Sequence, residues 1–161
     1  MNSDQILLLC GSRTLVEREG AREWARGIFR SKVCNLSALV SGDAPGPDSW
    51  VREFIPEASS VLSAVFYHLD GTVQDERATV LGRWCPADEV PGRGHPEYRR
   101  WPLTRNAVMV RAVQQRARQS GRIAMGLGLI DPESRTHGTE QTLSLCTRAF
   151  FDETTALRFV P

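Results

Sequence analysis

A chain of 161 residues with 41% hydrophobic and 24% charged residues holds enough apolar material for one compact core, and its length fits a single domain. Twenty Lys and Arg against nineteen Asp and Glu leave a formal charge of +1, which removes any whole-chain electrostatic argument for a nucleic-acid or anionic-membrane partner. No apolar run approaches the roughly 20 residues that span a bilayer, and Met1-Asn2-Ser3-Asp4-Gln5 lacks a basic leader, so the expectation is a cytoplasmic protein without a membrane partner.

Ile6-Leu7-Leu8-Leu9-Cys10 is a continuous apolar run closed by Gly11, the pattern of a strand buried on both faces of a parallel sheet. Over residues 16–29 the spacing turns helical, with Val16, Ala21, Trp24, Ala25 and Ile28 on one face and Glu17, Arg18, Glu19, Arg22 and Arg26 on the other. Residues 36–40 form a second strand ending at Ser41-Gly42. Pro47 then stands at a favourable first position for a helix through Trp50, Val51 and Phe54 that Pro56 limits. Residues 61–67 read as a third strand and 79–84 as a candidate fourth, paired across the Asp70-Gly71 turn.

Pro86, Pro91, Gly92, Gly94, Pro96 and Pro102 make residues 85–102 a long loop within a Pro/Gly/Arg-rich insertion at about 70–102. Residues 104–119 return to helix. The apolar run 123–130 is a strand whose Gly126 and Gly128 suggest close approach by a helix or a ligand, and it should lie centrally. A short helix at 140–150 and a last strand at 156–160 complete an alternation that predicts a single α/β domain. Its fold is expected to be Rossmann-like and doubly wound, with a mostly parallel sheet, right-handed crossovers and helices on both faces.

Three glycine-bearing turns follow strands: Cys10-Gly11-Ser12-Arg13, the stretch from Ser41 and Gly42 through Asp43, Gly46 and Asp48, and Thr136-His137-Gly138-Thr139. In open parallel sheets, ligands bind beyond the carboxyl ends of the strands where strand order reverses, and glycines let backbone N–H groups approach an anion. Any one such turn is more often structural, whereas three together favour a nucleotide-type ligand. Arg13 is placed to clamp a phosphate. Asp48 either caps its helix or accepts from a ribose or base, and Arg105-Asn106 open a helix beside the same crevice.

His68, His95 and His137 lack ligand spacing, so no metal is expected and no cofactor beyond a bound nucleotide. Cys10, Cys34, Cys85 and Cys146 form no CxxC pair and read as free, mostly buried thiols. Arg83, Arg93, Arg99 and Arg100 alternate with Trp84, Tyr98 and Trp101, a mix suited to base stacking. Asp88, Glu89 and Glu97 dilute it, so nucleic acid is not the favoured partner.

Taken in order, Gly11-Ser12-Arg13, Gly42-Asp43-Ala44-Pro45-Gly46-Pro47-Asp48, Trp101, Arg105-Asn106-Ala107-Val108-Met109 and Gly138-Thr139 resemble the YspA-like branch of the SLOG superfamily, which also holds DprA and the Lonely Guy phosphoribohydrolases. The resemblance spans nearly the whole chain. It implies a nucleotide-binding crevice with phosphates near the first and last glycine turns, in a sensor, a carrier or a hydrolase. Arg105 matches the Lonely Guy arginine approximately, but the glutamate position of those enzymes falls at Thr142, and Thr136-His137 replace a glycine pair. An N-glycosidase would therefore have to use Glu140, two residues earlier, with Arg105. Pro47 stands where the YspA-like pattern has alanine. The insertion is longer than that pattern, which suits a ligand cover, a contact between copies in a homo-oligomer, or a protein-interaction surface beside a vestigial site.

Overall fold

The computed structural model describes residues 4–78 and 81–161. In chain order its strands are β1 (Gln5–Gly11), β2 (Leu36–Ser41), β3 (Ser63–Tyr67), β4 (Thr72–Asp75), β5 (Gly82–Arg83), β6 (Ile123–Ile130) and β7 (Glu153–Arg158). Its helices are α1 (Ala21–Lys32), α2 (Pro47–Phe54), α3 (Trp101–Ser120) and α4 (Gly138–Arg148). The strands form one seven-stranded sheet in the order β5-β4-β3-β2-β1-β6-β7. Neighbours from β3 to β7 through β1 are parallel, while β3–β4 and β4–β5 are antiparallel. The chain is Rossmann-like: it winds from β1 outward through β2 and β3, then returns to the other side of β1 as β6, so strand order reverses between β1 and β6.

Alternation along β1 divides the core. Leu7 and Leu9 face α1 and α2, meeting Ala21, Ala25, Phe29, Val51 and Phe54, whereas Ile6, Leu8 and Cys10 face Met109 and Val113 of α3 and Leu143 and Cys146 of α4. Burial on both faces is why β1 and β6 read as continuous apolar runs and why β2 is interrupted only by the small Ser37. β6 is central, between β1 and β7, and its two glycines admit α4. A Cβ on Gly128 would come within 2.7 Å of Leu143 and 2.8 Å of Thr139, and one on Gly126 within 3.1 Å of the Cys146 sulfur.

Several boundaries differ from the sequence reading. The expected helix over 16–29 is a 3-10 turn at Arg13–Glu17 followed by α1, because Leu15 rather than Val16 enters the core and Gly20 breaks the chain at φ 78°. α3 begins at Trp101, with Pro102 in the first turn where no N–H is needed. α4 begins at Gly138 and ends before Phe150, and β3 begins at Ser63. β7 spans Glu153–Arg158 instead of 156–160, since an edge strand needs no apolar run.

Within the insertion, β4 was not foreseen. Of the expected strand at 79–84, Thr79 and Val80 lie outside the described residues, and only Gly82–Arg83 pair, antiparallel to β4. The loop 85–102 contains two short 3-10 turns, Ala87–Glu89 and Pro96–Arg99. It is pinned at both ends: Trp84 donates its indole N–H to His68 O (2.9 Å), Trp101 donates to Leu69 O (2.5 Å), and the two indoles stack at 4.9 Å. Among the described residues no helix is long and apolar enough to cross a membrane.

Candidate functional site

At the carboxyl ends of β1 and β6, where strand order reverses, lies a cleft of about 90 Å³. Gly11, Ser12 and Arg13 line it from the first turn, Ala44 and Asp48 from the second, Leu103, Arg105 and Asn106 from α3, and Thr136, Gly138, Thr139 and Thr142 from the last turn and α4. The structure thus brings together residues from all three glycine turns and the start of α3.

The first two turns are fitted to each other. A Cβ on Gly11 would sit 2.3 Å from Pro47 Cγ, and Gly46, at φ 97°, would place one 2.9 Å from Ser12 O. Close packing of the α2 start on the β1 turn therefore requires these glycines whether or not a ligand is present. Ser12 clips β1 to β6: its N–H donates to Leu129 O (2.9 Å) and its hydroxyl oxygen accepts from Asp131 N–H (3.0 Å). Ser41 lies outside the cleft lining, its hydroxyl donated to Leu9 O at 2.7 Å.

Arg105 is 3% exposed and donates to Asp43 Oδ1 at 2.7 Å, with Asp48 Oδ2 at 3.9 Å. It also donates to Asn106 Oδ1 at 3.2–3.3 Å; Asn106 Nδ2 donates to Thr142 Oγ1 at 2.9 Å, and Thr142 donates to Gly138 O at 2.8 Å. Gly42 makes room for this pairing, since a Cβ there would lie 2.7 Å from both the Arg105 guanidinium carbon and Asp48 Oδ2. Arg105, with Asp43 and Asp48 beside it, is a buried structural cation rather than a free one. Arg13 is exposed and, among the described residues, has no ion-pair partner.

Asp48 is 3% exposed, and its Oδ1 has no hydrogen-bond partner among the described residues. Burial pushes its pKa up to about 6; Arg105 opposes that shift, Asp43 adds to it, and the Gly11 N–H and Arg13 oppose it more weakly. The other acid near the switch point behaves oppositely. Burial of Asp131 is outweighed by hydrogen bonds from Thr14, the Glu133 N–H and Arg18, which hold its carboxyl below the usual range. Burial lifts the Cys10 thiol well above its usual value, with the Asp48 charge adding to the effect, and lifts Cys146 to about 12. Neither is a reactive nucleophile. Cys85 is also buried and free, and Cys34 is exposed and free.

α4 starts without a side-chain cap, and the N–H groups of Gly138, Thr139 and Glu140 have no acceptor among the described residues. Gly138 and Thr139 sit in the cleft lining, while Glu140 in the first turn offsets part of the N-terminal partial positive charge. His137 and Glu140 lie off that lining, 4.0 Å from each other, with His137 largely in solvent. Glu140 and Arg105 are accordingly not assembled as a pair in the cleft, and Thr142, at the position of the expected glutamate, is buried and committed to Asn106 and Gly138.

A second, wider groove of about 580 Å³ runs between α3 and α4 and shares Leu103 with the cleft; Ala107 and Leu145 supply apolar walls, with Arg100 and Arg148 beside them. Sequence reasoning missed this groove and the roles of Asp131 and Thr142. The one signal for Thr142 was its departure from the hydrolase pattern. Among the described residues no cluster of three or more His, Cys, Asp or Glu is placed to hold a metal ion. Compared with protein-family models, with curated proteins and with solved structures, the chain matches none significantly.

Proposed function

We propose that the protein binds a nucleotide or nucleotide-derived ligand at the β1/β6 switch point, as a sensor or carrier module of SLOG type. The observation that carries this reading is the start of α4, whose Gly138, Thr139 and Glu140 amides lack acceptors among the described residues, at a cleft also lined by Arg13, which has no ion-pair partner among them. A phosphate placed there satisfies the amides and the guanidinium together.

The cleft's 90 Å³ falls below the roughly 300 Å³ at which small-molecule pockets begin, so it encloses a phosphate and adjoining sugar atoms only. The base lies along the α3–α4 groove entered past Leu103. Asp48, a lining residue whose buried Oδ1 has no partner among the described residues, is the acceptor for a sugar hydroxyl in this reading. A glycosidase reading has no comparable support, because Glu140 is off the lining and Thr142 stands where a carboxylate would be needed.

Calorimetric titration with a panel of nucleoside 5′-monophosphates and the matching nucleosides tests the reading. Monophosphates are expected to bind, nucleosides much more weakly, and Arg13→Ala to lower affinity about tenfold or more. No free base should accumulate on prolonged incubation. A folded Arg13→Ala, Thr139→Ala double variant that binds as tightly as the parent would require the crevice to be abandoned as the site.

A further inference from the structure

The formal charge of +1 conceals a division between the two layers of helices. Over α1 and α2 the arginines are matched by acids: Arg22 pairs with Glu53, and Arg26 and Arg30 both pair with Glu57. On the opposite layer no Asp or Glu occurs between Glu97 and Asp131, a stretch that holds seven arginines. Two of them turn inward, Arg105 to Asp43 and Arg116 to Ser63 Oγ. Arg99, Arg100, Arg111, Arg118 and Arg122 are exposed and have no ion-pair partner among the described residues.

These cations edge a valley between α3 and α4. Its first part is the groove that shares Leu103 with the cleft, with Arg100 and Arg148 in its walls. Where α4 ends, a second hollow of about 250 Å³ follows, lined by Gln114 and Arg118 of α3, by Arg122 just beyond it, and by Phe150 and Asp152 across from them. Thr104 of the first part and Arg118 of the second lie seven residues either side of Arg111, two helical turns each way, so Arg111 stands on the same ridge. Acids are few: Glu97 lines the groove, and the Asp152 carboxylate already accepts the Ala124 N–H at 2.8 Å. Phe150 is 85% exposed, the most exposed large hydrophobic side chain among the described residues, and sits at φ 59° in the turn that ends α4. A ring kept in solvent on a strained backbone between cations packs no core; it offers a face for stacking.

We propose that the ligand of the cleft is the phosphorylated end of a single-stranded nucleic acid, whose following nucleotides lie along this valley with phosphates on Arg148, Arg111, Arg118 and Arg122 and a base on Phe150. The proposal rests on the nucleotide reading of the cleft and extends it from one nucleotide to a strand. Whole-chain charge spoke against nucleic acid only because it counts the acids of the other layer. From Thr104 to Arg118, α3 rises about 21 Å, enough for a site of about four nucleotides. Guanidinium groups hold phosphates, and any base stacks on an aromatic ring, so the chemistry is that of a sequence-tolerant groove. A valley bounded by two helices favours a thin strand over a flat anionic membrane, and a phosphate site at its head favours a nucleic acid over an acidic peptide.

Calorimetric titration compares thymidine 5′-monophosphate with 5′-phosphorylated pentathymidylate, each beside its uridine counterpart, which identifies whether the valley takes DNA or RNA. The phosphorylated pentamer of the preferred sugar is expected to bind about tenfold or more tighter than its monophosphate at low salt, with the excess falling as salt rises. The same pentamer without its 5′-phosphate is expected to bind more weakly.

Arg118→Glu combined with Arg122→Glu is expected to abolish the excess, and Phe150→Gly, which also relieves the left-handed backbone, to lower it about fivefold or more. These residues lie beyond the cleft and its groove, so both variants are expected to keep the parent's affinity for the monophosphate, which also shows them folded. A pentamer no tighter than the monophosphate, an excess that survives both variants, equal binding without the 5′-phosphate, or equal displacement by pentaglutamate would overturn the proposal and leave the nucleotide reading standing. Failure of monophosphate and pentamer alike removes both.

Discussion

At Asp48 a carboxyl group is withdrawn from water beside one guanidinium at 3.9 Å, with one oxygen left without a partner among the described residues. Its folded pKa of about 6 lies above the ordinary 3.8, so the folded state binds more protons than the unfolded state between those values. The stability due to this group falls as pH rises from about 4 to about 6, and the cost is fully present above 6. Asp48→Asn is therefore expected to stabilise the fold by about 1–3 kcal/mol at pH 7.5 and very little at pH 4, read from urea midpoints at the two values. If Asp48 accepts from the proposed ligand, the same variant weakens nucleotide binding, the trade expected where a binding site stores a destabilised group. Sequence identified Asp48, Arg13 and Arg105 as charges near glycine turns. It gave no means of telling the buried, ion-paired Arg105 from the exposed Arg13, because that distinction depends on Asp43 arriving from the turn after β2 and Thr142 of α4 holding Asn106 beside it.

Among the elements, α4 has the tightest seat. It rests on a strand from which two side chains are missing, so Gly128→Ala drives a methyl to 2.7 Å from Leu143 and 2.8 Å from Thr139. The expected cost is about 1–3 kcal/mol, with weaker ligand binding as well because Thr139 lies in the cleft; thermal unfolding and titration measure the two effects. At its other end α4 stops at a left-handed Phe150. Phe150→Gly is expected to raise the stability of the fold by about 1 kcal/mol, read from urea midpoints. The elements legible in sequence were those buried on both faces, β1, β2 and β6, where composition alone marks a strand. β4 and β7 escaped or were misplaced because each lies toward a sheet edge and carries polar residues. The start of α1 was misread because Val16 matches the helical period that the buried Leu15 breaks.

For the whole molecule, one architectural event places the site: the return of the chain to the far side of β1. The three glycine turns were visible in sequence because each ends a strand, and the doubly wound order that unites them was inferable from alternation alone. The order of the strands beyond β3 was not, since the pairing of β4 and β5 is set by the insertion folding back and being fastened by Trp84 and Trp101. Those two indoles lie 4.9 Å apart at 22°, while Trp24 and Trp50 pack against the opposite core layer. The stacked pair gives the molecule an optical label of its own. Exciton coupling between the rings is expected to add a couplet to the far-ultraviolet circular dichroism spectrum, so detachment of the insertion can be followed by its loss, with no dye attached.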